Sequence, residues 1–351
     1  MIPGATIPQS FWHSRRAVGF WLLSIVAVIL AMITVGGLTR ITGSGLSITE
    51  WDPIMGALPP LTDAAWNEAF AKYQHIPQYI HENSGMSLAG FRDIYWWEWA
   101  HRLLGRLLGL LFVIPLAWFA WSGAIRLAEW PRMLLLFALG GLQGFVGWWM
   151  VESGLETRVS VSQYRLAIHL GVALVLLIAI LWSALEYLRS PAKQLRAAPF
   201  LNWSFAVAGL IFLQMLLGAL VAGLHAGLVY NTWPSMDGRV IPQDAFVLSP
   251  WWMNLFENAG TVQFDHRVGA YIVSSAVFAL WWLESAAKLQ GFAHRSANAL
   301  LNVTLAQLVL GIATLLMQAP EFLAAAHQLL AALLLCTAVW HAFELRYAAK
   351  A

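Results

Sequence analysis

Charge is scarce in this chain of 351 residues: only 11% are Asp, Glu, Lys or Arg. An ordinary soluble domain carries about 25%, so a folded surface could not be covered with charge. That excludes a monomeric soluble enzyme and a disordered chain. The charges also nearly cancel, 20 basic against 18 acidic, which leaves no electrostatic footprint for nucleic acid. Cysteine is almost missing. Cys336 stands alone, so there is no internal disulfide framework and no cysteine-based zinc or iron–sulfur site. What fills the sequence is apolar, with 60% hydrophobic residues. The composition is that of an all-α integral membrane protein, because lipid cannot satisfy an open backbone.

Eight windows reach the roughly 20 apolar residues that a helix needs to cross the hydrocarbon core. They cover about 17–38, 97–121, 132–151, 164–186, 202–224, 264–283, 298–317 and 322–342. The first follows Arg15 and Arg16, as a signal peptide would. It is too long for one, and Arg40 and a glycine-rich loop follow where a cleavage site would be, so it reads as a retained helix. No transit-peptide pattern precedes residue 17. Arg15, Arg16, Arg126, Arg132, Arg189, Lys193, Arg196, Lys288, Arg295, Arg346 and Lys350 all fall on the side of the N-terminus. They sit in tails and short loops, where the positive-inside bias is strongest. The long loops, about 39–96 and 225–263, are net acidic and lie opposite. Both termini are expected in the cytoplasm.

The two halves of the chain resemble each other. Gly36, Gly45 and Trp51 near the end of the first window match Gly218, Gly227 and Trp233 near the end of the fifth, each pair 182 residues apart. His101-Arg102 and His266-Arg267 open the second and sixth windows; Gln143 and Gln307 lie within the third and seventh. His169 and His327 stand near the start of the fourth and eighth. Four helices per half insert with one orientation, so the expectation is two pseudo-symmetric four-helix bundles, 1–190 and 191–351, related by an axis along the membrane normal.

His101, His169, His266 and His327 all fall within about two turns of the outer end of an even-numbered span, at one depth. A lone intramembrane histidine is often a satisfied interhelical donor, but four at one depth, paired by symmetry, point to metal. Two imidazoles facing each other across a bundle suit axial ligation of haem iron. A di-iron site would need Glu-x-x-His on two helices. Glu98-Trp-Ala-His101 supplies it once, and Asp265 before His266 is off that face. Arg102 and Arg267 are placed to pair with haem propionates. His13, His75, His81, His294 and His341 fall in loops or at helix ends and read as solvated or interfacial; His225 ends the fifth window and its role is open. Glu98 breaks the symmetry. A carboxylate one turn from His101 is costly in lipid unless it is paired, protonated or functional, which makes the first half a reaction site and the second a permanent cofactor site. Trp96, Trp97 and Trp99 surround it, in the manner of an interfacial belt.

On these residues alone the chain is a membrane dihaem protein. A b-type electron-transfer cytochrome would share the four histidines, although such a carrier usually sets its haems at different depths. A transporter is suggested by the repeat, but the histidines lie off the midplane. Longer motifs go further. Gly36-Gly37-Leu38-Thr39-Arg40 through Thr42–Trp51, Asn83-Ser84-Gly85-Met86-Ser87, and Glu98 through Arg106 make the chain similar to the haem A synthase family. The resemblance covers all eight windows. It implies an enzyme that oxidises the C8 methyl of haem O to a formyl group by successive hydroxylation and loss of water. His101 and His169 would hold haem O, His266 and His327 would hold a haem B cofactor, and Glu98 would be catalytic. The first outer loop has no cysteine pair, so the resemblance is to the cysteine-free form of mitochondria and related bacteria. It further implies a haem O synthase and cytochrome oxidase assembly as partners, an electron donor of unknown identity, and self-association into a homo-oligomer; the missing transit-peptide pattern points to a bacterial inner membrane.

Overall fold

The computed structural model describes residues 9–52, 55–156, 158–189 and 200–347. In chain order the helices are α1 (Gln9–Ile41), α2 (Asp63–Tyr73), α3 (Pro77–His81), α4 (Leu88–Trp121), α5 (Trp130–Glu152) and α6 (Gln163–Leu188). They continue with α7 (Leu201–Gly223), α8 (Asn254–Glu257), α9 (Ala259–Ala286), α10 (Gly291–Leu316) and α11 (Glu321–Arg346). Among the described residues there is no sheet, only an isolated bridge between Met236 and Arg239. Eight helices, α1, α4, α5, α6, α7, α9, α10 and α11, are long and apolar enough to cross a membrane. The protein is a multi-pass, all-α membrane protein. The boundary expected at 190/191 lies outside the described residues, as do Lys193, Arg196, Lys350 and the side chain of His13.

The packing follows the repeat. In the first half α1 lies against α4 and α6, and α5 against α6; in the second α7 lies against α9 and α11, and α10 against α11. Across the middle α1 meets α11, α6 meets α7, and α6 meets α11. These four helices form the core, with Leu22, Ile25, Leu174, Leu177, Ile211 and Leu335 almost fully buried. Gly37 allows the close approach of α1 and α11: a Cβ there would fall 2.0 Å from Oε1 of Gln328, whose Nε2 donates to the Ile33 carbonyl at 2.9 Å. The halves differ at one seam. α9 and α10 pack together, whereas α4 and α5 scarcely touch.

The turns repeat as well. Gly43 (φ 67°) and His225 (φ 51°), 182 residues apart, are both left-handed, and each leads into a 3₁₀ turn, Ser44–Leu46 and Ala226–Leu228. His225 thus serves as a turn residue. Its Nε2 also accepts from Arg40 at 2.7 Å, tying the end of α1 to the second half; burial and the nearby Arg40 charge hold its imidazole below the usual histidine range.

Two expectations shift. The long spans begin earlier than their hydropathy windows, α4 at Leu88 and α9 at Ala259, where Ser87 and Asn258 cap the helices by accepting from Gly90 and Thr261. The extra outer turns of α4 carry Phe91 and Tyr95, against which Trp66 of α2 and Tyr73 pack as an outer cap. His341 is not solvated. It is fully buried between Ser296 (3.0 Å) and Glu284 (3.0 Å), because α11 runs through the middle of the bundle and its inner end stays covered.

Candidate functional site

The four paired histidines sit on α4, α6, α9 and α11, each pressed against a glycine of a neighbouring helix. A Cβ added at Gly36 of α1 would fall 2.9 Å from Cε1 of His101, and one at Gly147 of α5 would fall 2.9 Å from that of His169. In the second half the corresponding distances are 3.2 Å for Gly218 of α7 and His266, and 2.8 Å for Gly311 of α10 and His327. Any side chain at these glycines would occupy the space of the ring. His169 lies within electrostatic range of His101, and His266 within range of His327. Among the described residues no three His, Cys, Asp or Glu side chains converge on a metal position. Three of the four histidines stand within about two turns of their helix start. His101 lies deeper along its helix only because α4 projects outwards beyond it.

Three histidines have a glutamine behind them. The amide nitrogen of Gln143 lies 3.2 Å from Nδ1 of His169, and that of Gln214 lies 3.0 Å from Nδ1 of His266 while donating to the His266 carbonyl at 2.8 Å. Gln307 lies 3.4 Å from Nε2 of His327 and donates to its carbonyl at 3.1 Å. Each glutamine precedes its glycine by one helical turn, so Gln-x-x-x-Gly occurs at 143–147, 214–218 and 307–311. Gln214 was not singled out from the sequence, although this threefold motif was there to find it.

The outer rim is built twice. Arg102 donates from Nη2 to the Ile48 carbonyl and from Nη1 to the Glu50 carbonyl, both at 2.8 Å. Arg267 donates to the carbonyls of Tyr230 at 2.8 Å and Thr232 at 2.9 Å. The acceptors are again 182 residues apart. Both arginines therefore stitch the outer loop to the helix that carries the histidine. The halves part company at one position: Glu98, 4% exposed, accepts from Nε of Arg102 at 2.6 Å, whereas its counterpart Gln263 donates to the Tyr230 carbonyl at 2.9 Å and leaves the Arg267 Nε without a partner. Of the two arginines that follow the histidines, only Arg102 pairs with a carboxylate among the described residues.

The family model described as a cytochrome oxidase assembly protein matches residues 19–339. The protein named heme A synthase in Parvibaculum lavamentivorans is 48% identical over 332 residues, which are 95% of this chain and 95% of the relative. Its namesake in Brucella anthropi is 50% identical over 333 residues, 94% and 92% of the two chains. Another, in Brucella abortus, is 50% identical over 343 residues, 96% and 94%. The chain belongs to the haem A synthase family. All four histidines, the three glutamines and Glu98 lie inside the matched region. The glycine contacts give this member of the family a direct test. Gly311→Ala should push the His327 ring from its place, since the added methyl stands 2.8 Å from Cε1, while the buried α1–α6 core is untouched. The expected result is a protein with unchanged helix content by circular dichroism and a lowered haem content; full haem content would show that the ring tolerates the methyl.

Proposed function

We propose that the protein oxidises the C8 methyl group of haem O to a formyl group, giving haem A, by successive hydroxylation and loss of water. In this reading His101 and His169 hold haem O as substrate in the half 1–190, and His266 and His327 hold haem B as resident cofactor in the half 191–351. The residues fit such groups. Each pair offers two imidazoles and no thiolate, at glycine faces that leave room for the rings. Nδ1 of His101 and of His327 and Oε1 of Gln143, Gln214 and Gln307 are buried without partners. An imidazole that binds iron through Nε2 keeps its proton on Nδ1 and calls for an acceptor there; turning over the Gln143 amide, whose nitrogen lies 3.2 Å from Nδ1 of His169, would present its Oε1 as one.

The observation that carries the assignment of halves is Glu98 opposite Gln263. Haem iron, when bound, would supply the oxidising equivalent. Glu98, held by the Arg102 guanidinium in a buried position, is placed to orient a water, accept a proton or stabilise positive charge developing at a methyl carbon. Arg102 also fixes the outer loop over the site, and Arg102 and Arg267 at the rim are the candidates for the propionates. With Cys336 as the only cysteine, a dithiol relay within the chain cannot carry the electrons, which pass to a separate partner. The distribution of basic residues supports a bacterial inner membrane with both termini in the cytoplasm. A haem O synthase supplies the substrate and cytochrome oxidase assembly takes the product.

The test is haem extraction from the detergent-purified protein after co-expression with a source of haem O, with the haems identified by chromatography and mass. Haem B together with haem O, or with its hydroxylated or formyl products, is the expected result. Haem B alone, despite available haem O, would make the protein an electron carrier.

A further inference from the structure

We infer that the residue one turn before each histidine-facing glycine sets how firmly that histidine is held, and that Met32 makes His101 the releasable ligand of the first half. The inference rests on the ligand assignment proposed above. Glutamine stands at this position behind His169, His266 and His327. Behind His101 the position, one turn before Gly36, is Met32, packed near Gly105. A thioether has no hydrogen to donate and is at best a weak acceptor, so nothing on that side holds the ring or carbonyl of His101. Nδ1 of His101 and of His327 are both buried without a partner, and His327 differs in that Gln307 donates to its carbonyl. Glu98 and Arg102 are the charged groups beside it, and they are bonded to each other.

The distribution matches what each half must do. A resident cofactor has to stay, and the second half backs both of its histidines with glutamine. A substrate has to enter and a product to leave, and the first half backs only one. His169 would keep the haem in register while His101 lets go. The same half has the seam between α4 and α5 that its counterpart between α9 and α10 lacks, so the weak ligand and the unclosed side coincide. Outer-shell partners of metal-bound histidines typically change affinity 10–100-fold, which is the scale expected here.

The experiment compares Met32→Gln and Gln214→Met with the parent protein in detergent, following haem transfer to excess apomyoglobin and identifying each haem released. Met32→Gln should slow loss from the first half, and Gln214→Met should speed loss of haem B from the second, each by about 10–100-fold. The untouched half in each variant is the internal control for folding. Gln214→Met should also shift the midpoint potential of the second-half haem, because it removes the amide that meets Nδ1 of His266 at 3.0 Å. A purely structural role would not move that potential. Unchanged release rates in both variants would overturn the inference. If the rates respond but haem O is never recovered, the substrate reading fails and the role of Met32 stands. A protein that binds no haem in either half overturns both.

Discussion

His327→Ala and His266→Ala should each purify with the second-half haem lost and the first-half haem retained. Either change removes one of two axial donors, a larger loss than the 10–100-fold that follows from removing an outer-shell partner. Occupancy of that half should therefore fall to near zero under ordinary purification. The fold should survive, since neither ring belongs to the buried cluster of α1, α6, α7 and α11. His341 supplies the contrast within one helix. It lies on α11 like His327, but it bridges Ser296 and Glu284 and faces no glycine. His341→Ala leaves the Glu284 carboxylate buried and unpaired, a defect that costs about 3–5 kcal/mol in a buried pair. It should lower the thermal midpoint and leave the haem spectrum as it was. A normal haem B spectrum in His327→Ala would remove the second half as the cofactor site.

The sequence makes the spans, the pairing of the histidines and the repeat legible for one reason: each is a pattern in residue type along the chain. Glycine and tryptophan recur at one offset, the histidines recur in the same order, and the hydropathy of eight stretches is too high for any other solvent. The parts that escape depend on partners distant in sequence. The α2 and α3 segments are too polar for a hydropathy window, and they form helices because Trp66 and Tyr73 find Phe91 and Tyr95 on the outer turns of α4. His341 looks like a helix-end residue until α9 and α10 are known to bury it. Arg102 and Arg267 read from the sequence as partners for haem propionates; in the folded chain their guanidinium groups are also bonded to the outer-loop carbonyls. Met32 is invisible as a difference until Gln214 has been placed behind His266. Its meaning comes from superimposing one half on the other.

The same superposition makes Glu98→Gln an unusually clean variant, because glutamine is what the second half carries at the equivalent Gln263. The substitution keeps the size of the side chain, and the amide oxygen can still accept from Nε of Arg102, now 2.6 Å from Oε1. Haem O should therefore bind as before, and thermal stability should change little. What disappears is the negative charge and the ability to take up a proton. General acid–base catalysis by one positioned group contributes about 10²–10⁴-fold, and the rate of haem A formation should fall on that scale, measured as product per bound haem O. On the proposed division of labour, Gln263→Glu, the reverse change, should not confer haem A formation on the second half. A Glu98→Gln protein that forms haem A at the parent rate would separate the carboxylate from the chemistry. The difference between the halves would then have to lie in how the haem is held, and Met32 would remain as the position that distinguishes them.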